Sequence, residues 1–294
     1  MEGIAIILVN HNGYDDTKEC IDSILNDCSS VKRSIIVIDN GDINQSILLQ
    51  KNYQDIVVFR TQNKGFSAAN NLGMRYAFGR GYDNILLLNN DTEVENGFLD
   101  KMTIDYDGKS LVVPKILYYH ARNIIWYDGG HVNKYTGNVY HDNYGKFDSN
   151  EGGTIRDCTF ATGCCLLLSK NIVEKVGLFD DNYFMYCEDV DYCLRCLEAS
   201  ISIKYNSNVR IYHKVSASTG NPYTPFSSYY LTRNRLYYIT EHKKSFSKCA
   251  FYFTIISRFI KIICCYLKGD INYRAYIEGI RDYKRARWGR NPNY

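Results

Sequence analysis

Residues 184–195 carry three carboxylates within four positions, those of Glu188, Asp189 and Asp191. Carboxylates this close repel one another, so keeping all of them ionised costs free energy unless a metal, a cation or a proton-transfer task compensates. The cluster follows an aromatic turn and opens a run with helical apolar spacing. We therefore expect the chemistry of this protein to be centred on this segment.

Four short apolar runs alternate with helical segments in the first part of the chain. They occupy residues 4–9, 35–38, 56–59 and 85–88. Uncharged runs of this length between helices are typical of parallel strands that are covered on both faces. The pattern predicts an α/β fold with a Rossmann-like, mostly parallel sheet flanked by helices.

Polar residues end these runs, and ligands of open parallel sheets bind beyond the carboxyl ends of the strands. Asp39 could accept hydrogen bonds from a nucleobase or a ribose, although Asp-Asn is also ordinary turn chemistry. Asp91 is a hard oxygen ligand suited to Mg²⁺ or Mn²⁺ on a diphosphate, although an Asp at the start of a turn is common. His213 follows a later strand and could complete such a site, whereas a lone His is more often structural.

The segment 63–71 combines residue types that suit a phosphorylated ligand. Lys64 could contact phosphate, Gly65 lets backbone approach a ligand, and Asn70 and Asn71 lie one turn into a helix; helix capping is the alternative explanation. The segment has neither a GxGxxG nor a Walker loop. This argues against dinucleotide oxidoreductases and P-loop phosphotransferases.

Residues 92–157 are rich in tyrosine, glycine and turn-forming residues, which predicts short antiparallel strands and long loops that carry recognition. Beyond residues 221–225 the pattern is helical. We expect Arg233 and Arg235 on one face region of a helix here, where arginine can recognise diphosphates; a solvated or salt-bridged helix face is the alternative.

The formal net charge of +3 conceals an asymmetry. Residues 1–240 carry 23 basic and 28 acidic groups, a net charge of −5, and residues 241–294 carry 12 and 4, a net charge of +8. The basic region indicates contact with an anionic surface, either lipid headgroups or a polyanionic partner. Residues 246–267 are its most apolar part, but Arg258 and Lys261 leave uncharged stretches that look too short to span a bilayer, so we expect an amphipathic helix in the membrane interface. Packing on the protein body or in a homodimer is the alternative, and no nucleic-acid partner is expected.

The eleven cysteines are scattered, and no signal peptide precedes the first strand-like run, so we expect reduced thiols in a cytoplasmic protein. Cys193 and Cys196 form a CxxC without a second pair at zinc-ribbon spacing. Buried small side chains on a helix are therefore favoured over a metal site.

Eight motifs in register resemble family 2 glycosyltransferases, in particular the bacterial rhamnosyltransferase-like branch. The resemblance covers about residues 3–240. The motifs are Val9-Asn10-His11-Asn12, Asp39-Asn40, Asn63-Lys64-Gly65-Phe66 with Asn70-Asn71, Leu88-Asn89-Asn90-Asp91-Thr92, Ala161-Thr162-Gly163, Gly177-Leu178-Phe179-Asp180, Phe184-Met185-Tyr186-Cys187-Glu188-Asp189-Val190-Asp191 and Tyr230-Leu231-Thr232-Arg233-Asn234.

The resemblance implies a GT-A fold, an inverting single displacement and a nucleotide-diphosphate sugar donor. It implies that Asp189 is the general base, supported by Glu188, and that Asp91 and His213 hold Mn²⁺ or Mg²⁺. The donor would contact Val9, Asn10, Asn12, Asp39, Asn63, Lys64, Gly65, Asn70, Asn90 and Asp91, and the acceptor or a phosphate would contact Asp191, Arg233 and Asn234. We divide the chain into a nucleotide-sugar-binding and catalytic domain, residues 1–240, and a basic amphipathic helical region, residues 241–294.

Family members often show Asp-x-Asp where this chain has Asn89-Asn90-Asp91, so a single carboxylate remains for the metal. We expect the donor phosphates to complete the metal site. The leading hypothesis is transfer of rhamnose from dTDP-rhamnose to a cell-surface polysaccharide or lipid-linked glycan at the inner face of the cell membrane. The alternatives are a UDP-hexose donor, a non-catalytic glycan- or protein-binding module and a sugar nucleotidyltransferase; the last lacks its Gly-rich basic loop here.

Overall fold

The structure is a computed structural model that describes residues 3–149, 153–215 and 224–294. Its strands are β1 (Ile4–Asn10), β2 (Arg33–Asp39), β3 (Val57–Arg60), β4 (Asn84–Asn89), β5 (Thr92–Val94), β6 (Leu111–Tyr118), β7 (Ala121–Tyr127), β8 (Gly130–Val132), β9 (Val139–His141), β10 (Ile155–Cys158), β11 (Cys165–Ser169) and β12 (Ile203–His213). Its helices are α1 (Tyr14–Leu25), α2 (Ile43–Asn52), α3 (Phe66–Gly79), α4 (Phe98–Thr103), α5 (Lys170–Val176), α6 (Glu188–Glu198), α7 (Pro225–Glu241), α8 (Lys248–Leu267) and α9 (Asn272–Lys284). Residues 221–223, where we expected a turn before the helical part, lie outside the described residues.

The main sheet has the order β10-β12-β6-β11-β4-β1-β2-β3, with β5 paired to β12 and β7 to β6. Strands β1, β2, β3 and β4 pair in parallel, and α1 and α3 pack near them. The side chains of β1 and β4 are almost entirely buried, which is why these strands read as continuous apolar runs. The predicted mostly parallel α/β fold followed by C-terminal helices is confirmed.

The tyrosine-rich region contains one long central strand besides the short strands and loops that its composition predicts. Strand β6 pairs with β12 in parallel and with β11 and β7 in antiparallel fashion. Its Pro114 lacks a backbone N–H, and it is paired with Asn206 where the register between β6 and β12 shifts. Proline is tolerated at such an irregularity, so β6 continues through it.

The strand register brings several polar strand ends to one edge of the sheet. Asn10 lies opposite Asp39, and the neighbouring Val9 lies opposite Asn89. On the other half of the sheet, β5 pairs with the end of β12, so that Thr92 lies opposite His213. Because β5 begins one residue after Asp91, this pairing carries the Asp91 carboxylate to the end of β12.

The C-terminal helices pack on α7. Phe184, Tyr229, Tyr230 and Ala275 form a second apolar cluster that joins the segment before α6 to α7 and α9. Gly279 lets α9 approach α7 closely, because a Cβ there would stand 2.8 Å from the Tyr229 carbonyl oxygen. The residues after 240 are therefore packed against the segment that precedes the acidic cluster, while the division at residue 240 stays a prediction.

Helix α8 has one strongly exposed apolar face. The exposed side chains on it are Tyr252, Phe253, Ile256, Phe259, Ile260, Ile263, Tyr266 and Leu267. Among the described residues, α8 is the one helix long and apolar enough to cross a membrane by length and composition, with a mean hydropathy of 1.6. This differs from our expectation, which judged the uncharged stretches left by the two basic residues too short to span a bilayer.

All eleven cysteines are free. Cys193 and Cys196 lie buried in α6, and the Cys193 thiol contacts the backbone of Ala161. No group of three or more His, Cys, Asp or Glu side chains that could hold a metal occurs in the described part of the chain. The CxxC therefore packs as small apolar side chains, as the sequence favoured.

Candidate active site

A cavity of about 1000 Å³ lies at the edge of the sheet where the polar strand ends meet. Asp91 and Asp189, which are 98 positions apart in the sequence, both line it. Ligand cavities of proteins commonly have volumes up to this size. Of the predicted site residues, the cavity wall contains Val9, Asn90, Asp91, Glu188, Asp189 and His213.

Asp91 and His213 form an ion pair in the cavity wall. The Oδ1 atom of Asp91 lies 3.1 Å from Nε2 of His213, and the ring of Trp126 meets the imidazole edge-on at a centroid distance of 4.7 Å. Burial lowers the pKa of His213, but the Cys164 thiol and the Asp91 carboxylate together raise it to about 10. Burial likewise opposes ionisation of Asp91, yet the contact with His213 holds the pKa of this carboxyl below its usual range.

The same pair has a geometry that suits a divalent cation. The Oδ1 atom of Asp91 is buried and makes no hydrogen bond, and the ring nitrogen of His213 that faces it is Nε2. Adjacent ligands of an octahedral ion with bonds of about 2.1 Å lie about 3 Å apart, which matches the Asp91–His213 separation. These two residues could therefore supply two ligands and leave the remaining positions to oxygen atoms of a substrate or water.

Helix α6 presents its acidic first turn to the cavity. The helix begins at Glu188, and the two residues before it, Tyr186 and Cys187, have left-handed backbone conformations with φ of 67° and 72°. Asn234 of α7 secures this turn by donating its amide to the carbonyl oxygens of Met185 and Tyr186, at 2.9 and 2.8 Å. The positive end of the helix dipole favours negative charge at this position, so it offsets part of the repulsion within the cluster.

Asp189 is held by backbone N–H groups. Its Oδ2 atom accepts a hydrogen bond from Gly163 at 3.1 Å, and Oδ1 accepts one from Val190 at 2.8 Å. Burial raises the pKa of Asp189 from 3.8 to about 6, against the opposing effect of these N–H donors. The carboxylate is thus ionised near neutral pH and basic enough to accept a proton there.

Glu188 differs from Asp189 in its surroundings. It is 6% exposed, and its Oε2 atom has no hydrogen-bond partner. Burial and the charge of Asp189 raise the pKa of Glu188 well above its ordinary value. Two buried carboxyl groups this close do not both ionise readily, so ionisation of Asp189 favours the protonated form of Glu188.

The structure does not bring the predicted base-binding carboxylate of Asp39 into the cavity. Asp39 is fully buried and accepts hydrogen bonds from the amide of Asn10 at 3.0 Å, the backbone of Gly41 at 3.1 Å and the hydroxyl of Ser46. Asn10 is also fully buried, and its Oδ1 atom accepts from Gly13. Both side chains thus tie the ends of β1 and β2 together.

Other residues predicted to bind the donor make local structural contacts. Asn12 accepts a hydrogen bond from the backbone of Asp42, Asn63 accepts one from Gly65, and Asn70 donates to the Phe66 carbonyl oxygen. Lys64 is exposed to solvent. None of these side chains lines the cavity within the described residues.

Gly65 is required by packing rather than by close approach to a ligand. It caps α3 with φ of 100°, and a Cβ on it would overlap the carbonyl oxygen of Phe184. The next residue, Phe66, donates its N–H to that same oxygen at 2.8 Å. The glycine therefore lets α3 meet the segment that leads into α6 and Asp189.

The residues predicted to bind an acceptor or a phosphate lie outside the cavity. Arg233 is 1% exposed and donates to carbonyl oxygens of the C-terminal segment, including that of Gly289 at 2.7 Å. Asp191 is 4% exposed and is shared between Arg195 at 2.9 Å and His242 at 3.0 Å. Asn234 holds the turn before α6 and so positions Asp189 indirectly. The acceptor and phosphate roles of these three residues stay predictions that their placement does not support.

Three cations line the cavity wall; the sequence suggested Arg235, with Arg233, for diphosphate recognition, but it did not suggest Arg258 or Lys261 as site residues. Arg235 of α7 and Arg258 and Lys261 of α8 line the cavity on the side of the C-terminal helices. The sequence signal for the latter two was their spacing of three positions within an otherwise apolar helix, which places both on one face. They read as interruptions of a membrane segment, whereas in the fold they face the cavity.

Comparison with known proteins relates the chain to enzymes that transfer sugars. Residues 5–177 match the family described as Glycosyl transferase family 2. The dTDP-rhamnosyl transferase RfbF of Shigella flexneri is 21% identical over 232 residues, which cover 75% of each chain. The rhamnosyltransferase WbbL of Escherichia coli is 26% identical over 69% of this chain and 80% of its own. The N-acetylglucosaminyl-diphospho-decaprenol L-rhamnosyltransferase of Mycobacterium tuberculosis is 37% identical over 65 residues, 22% of this chain and 21% of its own.

Two solved structures share the fold at low sequence identity. GalNAc-T7 with UDP, GalNAc and Mn²⁺ superimposes with a TM-score of 0.60 at 14% identity, over 83% of this chain and 51% of GalNAc-T7. This chain thus spans about half the length of that protein. TarS 1–349 of S. aureus in complex with UDP gives a TM-score of 0.56 at 12% identity, over 84% of this chain and 70% of its own.

The family match covers more than half of the chain, and the cavity brings the two predicted key carboxylates together at the carboxyl edge of a GT-A-like sheet. These observations agree with the motifs found in the sequence. The chain therefore belongs to glycosyltransferase family 2.

Proposed function

We propose that this glycosyltransferase moves rhamnose from dTDP-rhamnose to a lipid-linked or cell-surface glycan by an inverting single displacement. The observation that carries the proposal is the presence of Asp189 and of the Asp91–His213 pair in the wall of one cavity. A proton acceptor and a site for a departing diphosphate are the two groups that such a displacement needs.

Asp189 acts as the base in this reaction. As the acceptor oxygen forms its bond to the anomeric carbon, its proton passes to the Asp189 carboxylate, and the bond from that carbon to the diphosphate oxygen breaks with its electron pair. Attack occurs on the face opposite the leaving group, which inverts the anomeric configuration. The N–H groups of Gly163 and Val190 orient the carboxylate. The raised pKa of Glu188 favours its protonated form, which could donate a hydrogen bond to the acceptor or donor.

Asp91 and His213 are the residues that would hold a divalent ion. A bound Mn²⁺ or Mg²⁺ would supply charge neutralisation for the departing diphosphate. The buried Oδ1 atom of Asp91 has no hydrogen-bond partner and lies 3.1 Å from Nε2 of His213, which supports this assignment. The Mn²⁺ in the structure of GalNAc-T7 gives a precedent within a similar fold.

The choice of donor rests on the relatives named as rhamnosyltransferases, and a UDP-hexose is the alternative. We would incubate the full chain with dTDP-rhamnose, UDP-hexoses and GDP-sugars in the presence of Mn²⁺ or Mg²⁺, with a prenyl-diphosphate-linked N-acetylglucosamine as acceptor. The proposal expects glycosylated product and release of dTDP from dTDP-rhamnose. Release of UDP from UDP-hexoses alone would identify a UDP-hexose as the donor in place of dTDP-rhamnose. No nucleoside diphosphate release from any donor would contradict the proposed reaction.

The location that we propose is the inner face of the cell membrane, with the protein bound peripherally through residues 246–290. The exposed apolar face of α8 and the net charge of +8 in residues 241–294 support it, because apolar side chains beside basic residues favour an anionic lipid surface. Ile256 and Ile260 on this face are 58% and 56% exposed.

Sedimentation with vesicles of phosphatidylglycerol and phosphatidylethanolamine tests this location. The double variant Ile256→Ser, Ile260→Ser should lose most of its vesicle binding, whereas the control Ile104→Ser, whose isoleucine is 59% exposed beyond α4, should not. Equal binding by all three proteins would contradict the membrane proposal. A doubled mass in light scattering that the α8 variant abolishes would indicate that the face forms a homodimer instead.

A further inference from the structure

We propose that Arg235, Arg258 and Lys261 form a subsite that binds the diphosphate of a lipid-linked acceptor. The inference rests on the proposed function and deepens it, since it assigns the acceptor class to a part of the cavity. The three residues come from α7 and α8 and lie beyond residues 5–177, which match the family. They take the phosphate-binding role that the sequence suggested for Arg233, which is buried.

Arg258 is a buried cation that has no carboxylate partner among residues 3–149, 153–215 and 224–294. It is 6% exposed, its Nε atom makes no hydrogen bond, and its guanidinium stands 5.8 Å from the centre of the Tyr276 ring. None of the ion pairs in the described residues involves Arg258. A buried charge of this kind is costly unless an anion binds to it.

Arg235 adds a second positive charge beside it. Its Nη2 atom donates to the Thr136 carbonyl oxygen at 3.0 Å and to Asn138, so the loop between β8 and β9 fixes its direction, while its Nε atom has no partner. The nearby positive charge of Arg235, together with burial, lowers the pKa of Arg258. Two arginines that repel each other in a cavity wall are suited to a ligand with more than one negative charge.

The position of the cluster indicates that this ligand also has an apolar part. Phe253 both lines the cavity and is 42% exposed on the apolar face of α8, one helical turn before Ser257 and Arg258. The cavity therefore opens next to the apolar surface. A diphosphate held by the arginines could extend a prenyl chain along Phe253 and the neighbouring isoleucines.

The diphosphate that these three cations would bind belongs to the acceptor rather than to the donor. The Asp91–His213 pair on the sheet already offers a place for the donor diphosphate, whereas Arg235 and Arg258 line the same cavity as the first turn of α6. The base removes a proton from the acceptor, so acceptor groups must lie near α6. A nucleoside diphosphate bound by the same cations is the competing source, and the experiment separates the two.

Isothermal titration of the full chain with farnesyl diphosphate tests the subsite without turnover. We expect Arg258→Gln and Lys261→Gln each to weaken this binding by about tenfold or more and to leave the affinity for dTDP unchanged. Lys268→Gln is the matched control, because it removes the same charge from an exposed position at the end of α8. Unchanged binding of farnesyl diphosphate in both variants would overturn the proposal, and so would a matching loss of dTDP affinity.

Further measurements separate this subsite from a structural role and from the proposed reaction. If Arg258→Gln unfolds the protein, Arg258→Lys takes its place; it keeps the positive charge and should recover most of the binding. Lys261 is partly buried, so its variant tests the subsite independently. With the transferase assay, the glutamine variants should raise KM for a diphosphate-linked acceptor and not for a simple alkyl glycoside. Charge-dependent farnesyl diphosphate binding with no transfer from any donor would remove the proposed reaction and leave the subsite, whereas transfer without such binding would remove the subsite alone.

Discussion

The base assignment of Asp189 predicts a specific dependence of the reaction rate on pH. With a pKa of about 6, Asp189 is about 97% ionised near pH 7.5 and about 9% ionised near pH 5, so kcat/KM should fall about tenfold between these values. An Asp with an unperturbed pKa would remain more than about 90% ionised near pH 5, and the rate would hardly change.

A rise in pH increases the reaction rate through ionisation of Asp189, but the same ionisation removes a contribution of Asp189 to the stability of the folded protein. Because burial raises the pKa of Asp189 in the folded state, the folded protein binds this proton more tightly than the unfolded chain does. Its contribution to stability is present below pH 3.8 and is lost as the pH rises through about 6. A rate that falls near pH 5 therefore does not reflect unfolding caused by Asp189, and thermal unfolding and dTDP titration at both pH values verify this.

Two variants complete the test. Asp189→Asn should lower kcat by about 10²- to 10⁴-fold and abolish the pH dependence that arises from this group, with dTDP affinity retained. Glu188→Gln should retain the profile of the unmodified protein, because glutamine resembles the protonated form that the raised pKa of Glu188 favours. A profile that stays flat down to about pH 5, or an Asp189→Asn protein with full activity, would refute the reasoning.

Three further predictions concern metal binding and stability. Asp91→Asn should remove the increase in Tm that Mn²⁺ adds to dTDP binding, and an undiminished increase would exclude Asp91 as a ligand. Gly65→Ala should lower the free energy of unfolding by about 2 kcal/mol or more in urea titrations, because its Cβ would overlap the Phe184 carbonyl oxygen at a positive φ; a loss of less than about 0.5 kcal/mol would contradict this. Arg233→Ala should cost about 3 kcal/mol, since it removes a fully buried side chain and its hydrogen bonds to the C-terminal segment, and an unchanged Tm with weaker substrate binding would instead favour a direct ligand role.

The sequence predicted that Asp91 lies at the edge where polar strand ends meet, because this follows from a general property of sheets, whereas the arrival of Asp189 there depends on how the first turn of α6 packs. Apolar runs identify β1, β2 and β4, and polar residues at their carboxyl ends must lie at one edge. The direction of each side chain at that edge was not predictable. Asp39 ends β2 as expected but turns inward to Asn10, a contact between residues 29 positions apart.

The direction of the side chains on α7 was also not predictable from the sequence. Arg233 and Arg235 are about 200° apart around α7, so they lie on nearly opposite sides of it. Tyrosines and polar residues surround this helix, and no apolar stripe in the sequence marks which side is buried. Contacts with α9 and the C-terminal segment bury Arg233, and these contacts are absent from any local pattern.

The two left-handed residues before α6 make the aim of the base depend on a distant helix. Tyr186 and Cys187 each hold a conformation that costs a non-glycine residue about 1–3 kcal/mol, and the amide of Asn234 keeps them there. The range that matches the family model, residues 5–177, ends before this turn and before Asn234. A chimaera that takes its donor pocket from a relative must therefore also take the turn and α7 from that relative. Otherwise the catalytic carboxylate will be misaligned with a pocket that is itself intact.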